Sequence, residues 1–137
     1  MKIIMLVSVA VILFSACENK NDYDIKSGKN YELNKTNLQQ TEQKTPSGFL
    51  TVMGERKKNI IGQTIVKVQI TNKAKIVAYK DVVVKIAFYS QTGTLLEEDK
   101  ETVYETILPG ATAKFKSKYF TPQGTDSVVL KIITAKF

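Results

Sequence analysis

The sequence predicts an all-β fold, an antiparallel β-sandwich of six or seven strands, over residues 48–137. Three observations predict it. Apolar residues recur at every second position after Gly48, the period of half-buried strands. The apolar residues are mainly β-branched, which suits a pleated sheet. Turn signals punctuate the pattern at short spacing, and no stretch after Gly48 holds a helical period.

The elements follow in order. Residues 49–55 form a candidate first strand, and Arg56-Lys57-Lys58-Asn59 a polar loop. In 63–72, Val66, Val68 and Ile70 face one way and Lys67, Gln69 and Thr71 the other. A short connection over 72–78 leads to 79–90, the strongest strand. There Val82, Val84, Ile86 and Phe88 alternate with Val83, Lys85, Ala87 and Tyr89. The second face is also partly apolar, which places this strand centrally, with Phe88 in the core. Gln91-Thr92-Gly93 is a hairpin connection, glycine supplying a positive φ.

Residues 94–107 read as two short strands, broken by Glu97-Glu98-Asp99-Lys100-Glu101, near an edge. Leu108-Pro109-Gly110-Ala111 fits a type II turn. Ala113, Phe115, Ser117 and Tyr119 then alternate with Lys114, Lys116 and Lys118. Thr121-Pro122-Gln123-Gly124 is a further turn, and 126–136 the last strand.

The first 47 residues are of another kind. Met1-Lys2 is followed by twelve apolar or small residues and then Ser15-Ala16-Cys17. At about 1.5 Å per residue such a run spans roughly 18 Å, short of the ~30 Å of a bilayer's hydrocarbon. A positive start, a short apolar core and small residues before a cut site mark a secretory signal over residues 1–16. Phe14-Ser15-Ala16-Cys17 resembles the lipobox of bacterial lipoproteins. That resemblance implies cleavage before Cys17 and a diacylglyceryl group on its thiol, hence a membrane anchor in the bacterial cell envelope. Cys17 is the only cysteine, so no intrachain disulfide forms. Residues 17–47 are rich in Asn, Lys, Thr and Gln, with scattered apolar residues and no sustained period. They read as a flexible tether with a reach of roughly 30 Å, with a weak local strand or helical turn over residues 31–40 as the alternative.

Charge is uneven. Residues 48–137 carry fourteen Lys/Arg against eight Asp/Glu, whereas 17–47 carry five of each. The basic excess belongs to the folded domain. In an exported, anchored chain it points away from nucleic acid and toward anionic lipid or polysaccharide.

From Val66 onward the chain also resembles the FxLYD-type immunoglobulin-like domains of bacterial envelope lipoproteins. The resemblance rests on Asn72, Tyr79-Lys80-Asp81-Val82, Ile86-Ala87-Phe88-Tyr89-Ser90, Thr92-Gly93, Leu108-Pro109-Gly110 and the lysine-rich strand with Phe115. Tyr89 alone matches the naming motif literally. The resemblance implies an immunoglobulin-like sandwich and no site residues.

Three groupings could carry chemistry. Glu97, Glu98, Asp99, Glu101 and Glu105 lack a calcium-loop spacing, and successive strand residues point to opposite faces. Lys114, Lys116 and Lys118 share one face, which Lys131 or Lys67 could join. Such a stripe suits anionic lipid or sugar, or merely keeps an exposed sheet from pairing with other chains. Tyr79, Phe88, Tyr89, Tyr104, Phe115, Tyr119 and Phe120 fit core or edge packing better than sugar stacking. The chain has no histidine, and no GxSxG or SxxK spacing. The expectation is therefore a non-catalytic module, without cofactor or metal, that binds an envelope protein partner. A carbohydrate- or anionic-lipid-contacting module using the basic face is the alternative.

Overall fold

The computed structural model describes residues 22–137, with side chains from residue 28. The signal over 1–16 and the lipidation site Cys17 lie outside the described residues. Helix α1 (Asp22–Lys44) and a single turn, α2 (Pro46–Phe49), precede six strands. These are β1 (Leu50–Lys58), β2 (Thr64–Asn72), β3 (Lys80–Ser90), β4 (Leu95–Val103), β5 (Thr112–Tyr119) and β6 (Thr125–Lys136). They form two three-stranded sheets, ordered β1-β2-β5 and β4-β3-β6, with every pairing antiparallel.

The period-two pattern does what it predicts. Val66, Val68 and Ile70 of β2 and Val82, Val84, Ile86 and Phe88 of β3 are buried between the sheets. Ala113, Ile132 and Ala135 close the core from β5 and β6. β3 is central in its sheet. The sheets approach closely where β1 meets β6: a Cβ on Gly54 would lie 2.3 Å from the Cδ1 of Leu130. A side chain there would force Leu130 to shift and would crowd the Lys67 carbonyl at 3.0 Å, so glycine lets the sheets approach. Gly93 and Gly110 take positive φ of 80° and 78°, as their turns demand.

Three expectations are corrected. Arg56, Lys57 and Lys58, read as part of a polar loop, are the last residues of β1 and pair with β2. Residues 95–103 form one continuous strand rather than two. β4 is an edge strand, largely solvated, so charged residues need not interrupt it, and they discourage pairing with another chain. The stretch read as structureless carries the 23-residue helix α1. Lys, Glu, Gln and Leu are good helix formers, and a helix exposed over most of its length has no reason to show an apolar stripe. The hydroxyls of Thr36 and Thr41 on α1, and of Thr45 just after it, donate to the carbonyls four residues earlier. None of the helices among the described residues is long and apolar enough to cross a membrane.

The connections sort to two ends. At one end lie the β1–β2, β3–β4 and β5–β6 connections, as the pairings Lys58↔Thr64, Thr64↔Tyr119 and Ser90↔Thr125 require. At the other lie α2, the β2–β3 connection and the β4–β5 connection. Asn72 organises that second end from full burial. Its Nδ2 donates to the carbonyls of Val77 and Ile107, both at 2.9 Å, and its Oδ1 accepts from the Ala74 amide at 2.8 Å.

Candidate contact surface

The register of sheet β1-β2-β5 resolves its outer face into rows. Lys57, Ile65 and Lys118 form one row; Glu55, Lys67 and Lys116 the next; Met53, Gln69 and Lys114 the third; Thr51, Thr71 and Thr112 the last. The three lysines singled out from the sequence therefore do share a face. Lys67 joins them, directly opposite Lys116. Lys131 does not: it pairs with Lys85 in the other sheet. Lys57 completes a set of five amines against one carboxylate, Glu55. Among the described residues none of the five has a carboxylate oxygen within 4.0 Å; the ion pairs there are Lys85–Glu98 at 3.3 Å and Lys136–Asp81 at 2.9 Å. Like charges directly opposite each other across a ladder are destabilising. This face thus holds an electrostatic cost that a polyanion would relieve. It carries no aromatic ring on which a sugar could stack.

The acidic run does not converge. Register places Glu97, Asp99 and Glu101 on the side of β4 that faces the other sheet, with Phe88, Ile86 and Val84. Glu98 points outward to the Nζ of Lys85. Glu101 is engaged across the sandwich, accepting from the Oγ of Ser117 at 2.8 Å and the phenol of Tyr119 at 3.2 Å. Among the described residues no three His, Cys, Asp or Glu side chains group to hold a metal.

At the tip of the β1–β2 hairpin, Ile60 is fully exposed and Ile61 is 66 % exposed. Sequence reading passed over this pair, because two adjacent apolar residues fit neither the strand nor the helix period. The signal was nonetheless there: two isoleucines between Asn59, which follows three cations, and Gly62.

At the opposite end α1 is keyed into the sandwich. Glu42 is fully buried. Its carboxylate accepts from three consecutive backbone amides, Lys75 at 2.7 Å, Ile76 at 3.1 Å and Val77 at 2.9 Å. The Tyr79 phenol donates to the Glu42 carbonyl at 2.7 Å. Helix and β2–β3 connection are thus joined twice through one residue.

Burial, and then the Glu42 charge, push the Tyr79 phenol up to about 12. The folded state keeps this proton while the unfolded chain releases it near its ordinary value of ~10. The contribution is therefore complete below pH ~10 and falls as pH rises toward ~12. Denaturation midpoints taken across that window should drop for the wild type. Tyr79→Phe should lose about 1 kcal/mol at neutral pH with its hydrogen bond, and the gap to wild type should narrow above pH ~10. A constant gap would contradict the assignment.

No family model and no curated protein matches the chain.

Proposed function

We propose that this chain is a lipid-anchored module of a bacterial cell envelope that acts by contact rather than by catalysis, presenting its sandwich to a partner in that compartment. One observation carries the contact reading: the outer face of β1-β2-β5 sets Lys57, Lys67, Lys114, Lys116 and Lys118 against the single carboxylate of Glu55. The anchor reading rests on Phe14-Ser15-Ala16-Cys17 after a short apolar run. An immunoglobulin-like relation to envelope lipoproteins is in keeping with the two-sheet architecture. The partner is an envelope protein or an anionic surface. Polysaccharide is disfavoured by the lack of aromatic rings on the lysine face.

Cys17→Ser should move the protein from the membrane fraction to the soluble one, since stable attachment takes more than one acyl chain. After a high-salt wash that removes charge-dependent contacts, a variant still held by the membranes would end the anchor reading.

A further inference from the structure

The end of the sandwich opposite α1 combines two kinds of chemistry in layers. Outermost are Ile60 and Ile61 on the β1–β2 hairpin. Phe120, 74 % exposed, follows β5 at the same end. The Thr64 and Thr121 hydroxyls, 3.0 Å apart, bring the β5–β6 connection to the base of the hairpin. Behind the isoleucines sit Arg56, Lys57 and Lys58, all exposed. These three cations line a cleft of about 240 Å³ with Thr64 and Thr125. Lys118 lies in the same sheet row as Lys57. The nearby carboxylates, Glu55 and Asp126, form no ion pair with these cations among the described residues.

The exposure of the isoleucines is imposed by a built loop. The Asn59 carboxamide accepts from the Ile61 amide at 3.2 Å and the Gln63 amide at 2.8 Å. Its Nδ2 donates to the Gln63 Oε1 at 2.9 Å. The Asn59 amide donates to the Gln63 carbonyl and the Gly62 amide to the Asn59 carbonyl. Gly62 takes a φ of 82°, which closes the turn. The loop therefore holds its two apolar side chains outward and cannot fold them back without breaking these bonds.

We infer that this end is a docking tip for an anionic phospholipid surface, with Ile60 and Ile61 entering the acyl boundary and Arg56, Lys57 and Lys58 meeting the phosphates. The inference rests on the contact reading above and names its partner. The layering decides the occupant. A bilayer offers phosphate first and hydrocarbon beneath it, the order that an apolar tip with cations one row behind would meet. Exposed arginine and lysine side chains suit a phosphate oxygen cluster. A polysaccharide would supply charge and nothing for the isoleucines. An acidic protein surface is the outcome that the test separates out.

The test uses residues 17–137 with Cys17→Ser, which keeps every described element and removes the acylation site. Binding is read by co-sedimentation with vesicles of phosphatidylglycerol or of phosphatidylcholine. The chain should pellet with the first and much less with the second, and release as salt rises. Ile60→Ser with Ile61→Ser should weaken binding at least about tenfold and preserve the salt dependence. Arg56→Gln with Lys57→Gln and Lys58→Gln should weaken it roughly a hundredfold, at about fivefold per cation, and flatten the salt dependence. All five side chains are solvent-exposed, so both variants should keep the wild-type circular dichroism. No pelleting with phosphatidylglycerol, equal pelleting with both lipids, or indifference to either variant would overturn the inference. Failure here with the acylated protein still membrane-bound would overturn the tip alone. A Cys17→Ser protein that stays with membranes after a high-salt wash even when the tip substitutions are combined with it, while the tip variants behave as stated on vesicles, would overturn the anchor alone.

Discussion

Phe88→Ala is expected to lower the unfolding free energy by about 3–5 kcal/mol, the cost of removing a large ring from a packed core. Phe88 is fully buried on the central strand β3. Its ring meets that of Tyr119 edge-on, with centroids 5.1 Å apart and planes at 64°. Tyr119 lies on β5, so this contact joins the two sheets. Truncation removes the transfer free energy of the ring and loosens Tyr119, whose phenol is also held by Glu101. For a domain whose stability is about 5–15 kcal/mol, the loss would be a large fraction of the whole. The denaturant midpoint should fall with an unchanged slope. Tyr89→Ala, next in sequence but half-buried on the other face, should cost far less. Equal losses at the two positions would mean that the faces of β3 are assigned in reverse.

Glu42→Ala should come next in effect, and its signature should be local. The carboxylate satisfies three backbone amides at once. Hydrogen bonds to a charged group are worth about 1.5–3 kcal/mol each, but water can refill part of the vacated space, so the three do not add. An overall loss of about 3 kcal/mol is expected. Glu42→Gln retains the shape and one acceptor oxygen while placing an NH₂ against the same amides, and should fall between. Hydrogen exchange distinguishes this loss from a global one. The amides of Lys75, Ile76 and Val77 and those of α1 should exchange faster, while those of Val84 and Ile86 should change little. Uniform acceleration throughout the sandwich would show that Glu42 supports the core rather than the helix junction.

These two residues also show what was legible in the sequence. Phe88 declares itself, because Val82, Val84, Ile86 and Phe88 recur at every second position of β3 and all four are buried, although Ala87 between them is buried as well. Lys114, Lys116 and Lys118 are legible by the same period. Glu42 is not: it is buried for its charge, so any search for apolar period passes over it. Without it, the helix offers no stripe to read, which is why residues 22–44 looked like unstructured chain. β4 was split because an edge strand need not alternate apolar and polar residues, and its run of charges resembles a loop. Ile60 and Ile61 went unnoticed because a strand or helix period reports only residues packed into an element.

The keyed helix alters how the sandwich explores its surroundings. A flexible segment of this length concentrates its end close to its origin, and each extension costs chain entropy. A helix of 23 residues is about 34 Å long without any such cost. With α1 fixed to the sandwich through Glu42, the Ile60–Ile61 end moves as the far point of a stiff arm. With Cys17 acylated, the point of attachment would lie five residues before α1 in the sequence. The effective concentration of the tip would then be low close to that attachment and high at the arm's full reach. Substituting Glu42 would therefore change where the tip finds a partner without altering the tip itself.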